Sequence, residues 1–135
     1  MSDYGISTTL TASFADTVER TRAALAEQGF GILTEIDVAA TMKAKLDIDL
    51  APYLILGACN PPLAHQAISI DPSIGLLLPC NVVVRTIDDT HTLVEAMNPD
   101  VMVSATGNPE LAPVAEQAGN RLTAALDSLS GRVNV

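Results

Sequence analysis

An apolar run from Tyr53 to Ala58 passes through Cys59 into Asn60-Pro61, and this junction constrains the fold more than any other stretch of the 135 residues. The run is short and bounded by turn residues, which reads as a buried strand. Asn is a favoured N-cap, and Pro suits the first helical position because the N–H it lacks has no partner there. The junction therefore fixes a strand-to-helix step in the middle of the chain. Asn-Pro recurs at Asn98-Pro99 and Asn108-Pro109, each time ahead of a helical pattern.

The flanking segments follow the same logic. Gly5 to Thr11 is rich in β-branched residues and predicts a first strand. Ser13 precedes Phe14 with Asp16 three residues on, a start resembling a capping box, and Phe14, Val18 and Leu25 share one helical face before Gly29 stops the helix. Phe30 to Ile36 alternates, with Phe30, Ile32 and the Thr34 methyl on one side and Leu33 and Glu35 on the other, as in a second strand. Asp37 then caps a short helix bearing Val38, Met42 and Leu46, and Leu46 to Leu50 continues as an extended connection.

After Asp71-Pro72, Leu76 to Ile87 predicts one long strand or two short ones, since Pro79 implies a bulge or an edge. Asp88-Asp89-Thr90 reads as a three-residue turn into a strand from Thr92 to Met97, giving an antiparallel hairpin. From Pro109 a long helix carries Leu111, Val114, Ala118, Leu122, Leu126 and Leu129 on one stripe, and Gly131 ends it.

This order predicts an α+β two-layer sandwich, a mostly antiparallel sheet with helices packed on one face. Residues 1–135 form a single domain, because no linker, repeat or low-complexity segment divides them. The uncovered face or a free edge needs protection, and a homodimer supplies it.

Charge and composition restrict the partners. The formal net charge is −9, and the seven basic residues are scattered singly, so nothing forms the basic stripe that neutralises phosphates. Aromatics make up 3%, too few for a stacking platform. Nucleic acid and anionic membranes are therefore not expected partners. Met1 to Leu10 shows no basic segment followed by an apolar one, and Ile74 to Val84 is interrupted by Gly75, Pro79 and Asn81. Two cysteines suit a reducing compartment as thiols, so a cytoplasmic location is expected.

Ile55-Leu56-Gly57-Ala58-Cys59-Asn60-Pro61, followed by Leu76-Leu77-Leu78-Pro79-Cys80-Asn81-Val82-Val83-Val84, resembles the domain-of-unknown-function 302 family. The resemblance runs from the first helix into the last, about residues 14–128. It implies a small two-layer α+β fold that tends to dimerise, and it implies no activity.

The residues that could carry chemistry gather at the same junction. Cys59 stands just before the N-cap, where free N–H groups and the helix dipole favour a thiolate. Antiparallel pairing of the two apolar runs would bring Cys80 to the same end of the sheet. His65, six residues after Cys59, could serve as a base to a thiolate. The spacing of these residues matches no zinc site, so no metal is expected. Against this stands the simpler reading of two small buried thiols and a surface histidine. His91 reads as solvated, Asp47 and Asp49 as an exposed face, and Met42, Met97 and Met102 as core filler. There is no dinucleotide, P-loop or nucleophile-elbow motif.

Three functions fit. The first is a non-catalytic homodimeric ligand-binding or sensory module. Its site at the helix start, Cys59, Asn60 and Cys80, would take a small anionic or polar ligand. The second is a thiol-dependent redox or nucleophilic function, with Cys59 attacking, Cys80 resolving and His65 as base. The third is a structural interaction domain. No cofactor is indicated by any motif.

Overall fold

The computed structural model describes residues 4–130, so the stop expected at Gly131 lies outside the described residues. Strands β1 (Gly5–Leu10), β2 (Gly31–Asp37) and β3 (Tyr53–Cys59) are each followed by a helix, α1 (Phe14–Glu27), α2 (Val38–Leu46) and α3 (Pro61–Ile70), and the hairpin strands β4 (Cys80–Thr86) and β5 (Thr92–Met97) are followed by α4 (Val101–Thr106) and α5 (Ala112–Leu129). The strands form one five-stranded sheet in the order β1-β5-β4-β3-β2, antiparallel at every pairing. The fold is the expected α+β arrangement.

Local chemistry sets the element ends. The Ser13 hydroxyl accepts from the Asp16 N–H to open α1, and the Asp37 carboxylate accepts from the Ala40 N–H to open α2. Gly29, at φ +86°, lets the chain turn out of α1, in a region other residues enter only with strain. Two of the three Asn-Pro signals act as caps, Asn60 accepting from Leu63 and Asn108 from Glu110, whereas Asn98 accepts from the Asp100 N–H in the turn ahead of α4, whose N-cap is Asp100.

One stripe on α5 organises the interior. Its second half, including Leu122, Ala125 and Leu126, packs with Leu25 of α1 onto Leu56, Val82, Val84 and Val94 of the sheet. Its first half, with Val114, Ala115 and Ala118, joins Leu63 and Ala67 of α3, Ile74 and Met102. Each fully buried aliphatic side chain contributes roughly 1.5–3 kcal/mol of transfer free energy. Among the methionines, Met102 is core filler, whereas Met42 and Met97 are only half-buried.

Three local expectations are corrected. Leu76 does not begin a strand. Asp71 accepts from the Ser73 N–H and starts a 3-10 turn over Pro72–Leu77 that buries Ile74 and leaves Leu76 exposed; β4 begins only at Cys80. The hairpin between β4 and β5 is longer than three residues. It runs from Ile87 to His91, closed by the Ile87 N–H on the His91 carbonyl. Asp88 accepts there from the backbone N–H groups of Thr90 and His91 and lies 2.9 Å from His91 Nδ1; the Thr90 backbone bond foremost, then the His91 side chain, hold its carboxyl down at about 2.

The third correction concerns β2. A bulge between Ile32 and Thr34 breaks the alternation, so Ile32 pairs with Ala58 and Thr34 with Gly57. Ile32 stays on the helix side, while Thr34 turns to the other face. There its Oγ1 would lie 2.1 Å from a Cβ at Gly57, and Pro79 Cγ would lie 2.9 Å away. Only glycine fits beneath them. A Gly57→Ala substitution is expected to lower unfolding stability by about 1–3 kcal/mol through this overlap. Adding Thr34→Ala should restore part of the loss, leaving the Pro79 contact, and urea unfolding of both variants measures it. Equal stability of Gly57→Ala and the unmodified chain would disprove the close approach.

Candidate functional site

Antiparallel pairing aligns Ala58 with Cys80, so both cysteines do sit at one end of the sheet, beside the start of α3. They flank a cavity of about 30 Å³ whose walls also include Leu63, Met102, Val114 and Ala118. That volume holds about one water molecule. Cys80 is buried and Cys59 half-buried, and both are free thiols. Burial pushes the Cys80 thiol up to about 11, with the nearby charge of a Cys59 thiolate a second cause. A thiol so held is a poor nucleophile and a poor resolving group.

His65 does not join them. It lies exposed on the outer side of α3, and it does not line the cavity. No metal-sized group of three or more His, Cys, Asp or Glu side chains occurs among the described residues.

The amides at the opening of α3 are taken up within its own chain. Of its first four N–H positions, Pro61 and Pro62 have none. The Leu63 N–H goes to Asn60 Oδ1 at 3.3 Å, and the Ala64 N–H to the Asn60 carbonyl at 2.9 Å. Asn60 Nδ2 in turn donates to the Gln28 carbonyl at 3.5 Å, which also accepts from Arg121 Nη1 at 3.2 Å. Asn60 and Arg121 thus meet at the Gln28 carbonyl, which joins the end of α1 to the start of α3 and to α5. Both ends of the Asn60 amide are occupied.

The larger concavity lies elsewhere, on the sheet face that no helix covers. It measures about 730 Å³. Register and alternation place three rows of side chains on this face. Tyr53, Arg85, Leu93 and Thr9 form one row; Ile36, Ile55, Val83, Glu95 and Ser7 the next; Thr34, Gly57, Asn81, Met97 and Gly5 the third. The connection Leu50–Pro52 walls one end, and Tyr4 stands beside Gly5 and Met97 at the other. Both of the chain's tyrosines line this groove. Arg85 Nε and Glu95 Oε1 lie 3.9 Å apart, both side chains about one-third exposed. That separation exceeds a hydrogen bond. The face could be anticipated in part, because an α+β sheet covered on one side leaves the alternate residues of every strand outward.

The sequence model described as "Domain of unknown function DUF302" matches residues 6–129. A solved structure, the crystal structure of uncharacterized conserved protein DUF302 from Bacillus stearothermophilus, superimposes with a TM-score of 0.87 at 28% sequence identity. The match covers 95% of this chain and 99% of that one. No curated protein matches.

Two outcomes are expected from this geometry. Asn60→Asp keeps a good N-cap but removes the donor to the Gln28 carbonyl, so it should destabilise by about 1–2 kcal/mol in urea unfolding. A neutral or stabilising result would mean that the Gln28 bond contributes nothing. For Cys80, the folded pKa lies above the unfolded value of 9.0. Its contribution is therefore complete below pH 9 and declines as pH rises towards 11. Cys80→Ala should flatten the alkaline slope of stability against pH, and iodoacetamide should label Cys59 but not Cys80 in the folded chain.

Proposed function

The chain belongs to the DUF302 family, and within it we propose a non-catalytic ligand-binding module that works as a homodimer and uses the uncovered face of its sheet as the binding surface. The observation that carries this reading is the groove of about 730 Å³, within the size range of small-molecule sites and lined by apolar side chains with a few polar groups. The helix start at Cys59-Asn60-Pro61 is the weaker location. Its amides are absent or already bonded, and the cavity beside it is about 30 Å³. The thiol-dependent alternative loses support for the same reasons, since Cys80 is buried and His65 faces solvent.

Support for a dimer comes from where apolar surface is left exposed. Of nine exposed large hydrophobic residues among the described residues, Leu33, Ile36, Leu46, Ile48 and Leu50 lie in one stretch comprising β2, α2 and the connection after it. β2 is an edge of the sheet, and α2 buries no residue of its own. An edge strand with unpaired backbone groups and apolar neighbours is a template for pairing, and a second copy offers the same edge about a two-fold axis. Leu50 also lines the groove, so a partner at this edge would deepen it.

Native mass spectrometry of freshly purified protein reads both halves. A dimer is expected, converted to monomer by Leu46→Glu with Ile48→Glu. A retained small molecule is expected as well, lost when Val83→Trp fills the groove. A monomeric unmodified chain with no adduct overturns the reading.

A further inference from the structure

The floor of the groove carries chemistry that selects a ligand. On it, Arg85 and Glu95 occupy diagonal positions of neighbouring strands, since Val83 pairs with Glu95 and Arg85 with Leu93. Guanidinium only donates and carboxylate only accepts. Among the described residues, neither side chain makes a hydrogen bond; their sole contact with each other is the 3.9 Å approach. The two therefore offer a donor group and an acceptor group side by side on the open face of the sheet. Around them the surface is mixed: Tyr53 is the cross-strand neighbour of Arg85 and Ser7 that of Glu95, and Val83, Leu50 and Met97 line the groove together with Asn81 and Thr86.

A ligand that satisfies both edges must present an acceptor and a donor next to each other. A carboxylate matches Arg85 but meets Glu95 as a like charge, and an amidinium matches Glu95 but meets Arg85 as one. The chain's net charge of −9 further opposes an anion. A planar amide matches both partners without net charge, its carbonyl towards Arg85 and its N–H towards Glu95. The apolar and aromatic members of that lining, Leu50, Tyr53, Val83 and Met97, suit a flat ring attached to that amide. Gly5, in the row beyond Glu95, adds no side chain that would obstruct it.

We infer that the open sheet face takes an uncharged planar ligand with an amide edge on an apolar or aromatic body, read by Arg85 and Glu95 as a donor–acceptor pair. This rests on the sheet face being the binding surface.

Three probes of one shape test it on the full chain: benzamide, benzoate and benzamidine. Backbone N–H resonances are followed by heteronuclear NMR as each probe is added. Fragments of this size bind weakly, with Kd on the order of millimolar. Benzamide should shift the resonances of Val83, Arg85 and Glu95 and bind roughly tenfold more tightly than either charged probe, because each of those meets one like charge. Glu95→Gln removes the repulsion of anions and should invert the order in favour of benzoate. The ranking in the unmodified chain decides the matter even if that variant does not fold. Charged probes that equal or exceed benzamide while shifting the same three residues overturn the amide assignment and leave the face as the binding surface. No shift at these residues with any probe overturns both.

Discussion

The second half of the stripe on α5, together with α1, presses apolar side chains onto one face of the sheet, and among the described residues no second layer of helices answers it on the other. This one-sided burial determines what each strand must carry. On the inner face Leu56, Val82, Val84 and Val94 are fully enclosed, so every polar group there would have to be paired. The two threonines buried in α1 comply: the Thr17 hydroxyl donates to the Ser13 carbonyl and that of Thr21 to the Thr17 carbonyl. On the outer face the alternate residues of the same strands meet solvent, and here the chain mixes Ile55, Val83 and Leu93 with Arg85, Glu95 and Asn81. Wholly apolar outward residues would have made a flat, adhesive surface.

The junction of β3 and α3 shows how much of a helix start the fold itself can use. A helix start after a cysteine has the form of an anion or thiolate cradle. Here each element of that cradle is already used. Two prolines remove two amides, Asn60 takes the third on its side chain and the fourth on its carbonyl, and the remaining amide end of Asn60 reaches the Gln28 carbonyl. The thiols then fill space beneath α3. Among the described residues no buried side-chain nitrogen or oxygen lacks a partner.

Much of this architecture was legible in the residues. Periodicity and caps locate the helices, because Ser13, Asp37 and Asn60 announce their own hydrogen bonds. The antiparallel hairpin follows from the short turn at Asp88. Pro62 was legible too, since a second proline removes a second amide, yet the helix start still reads as rich in donors when only its cap is considered. What the sequence hides is non-local. The bulge at Thr34 arises from the fit of that side chain and Pro79 over Gly57, three residues brought together only by the sheet. The 3-10 turn over Pro72–Leu77 is equally opaque, because its apolar composition is that of a strand and only the burial of Ile74 decides otherwise. The groove joins Tyr4, Tyr53, Arg85 and Glu95 from four separate segments, and no spacing along the chain records it.

Why the outer face should hold an arginine and a glutamate follows from weighing their contribution. A partly exposed pair at 3.9 Å is worth about 0–1 kcal/mol, so stability alone gives little reason for it. Solubility is served as well by any polar residue, and serine or threonine in β1 already does this at Ser7 and Thr9. A guanidinium and a carboxylate left without hydrogen bonds on a mixed floor do something a hydroxyl cannot. They fix opposite polarities at two adjacent points while remaining neutral as a pair. A surface of that kind admits partners by the pattern of their donors and acceptors, and it penalises net charge of either sign.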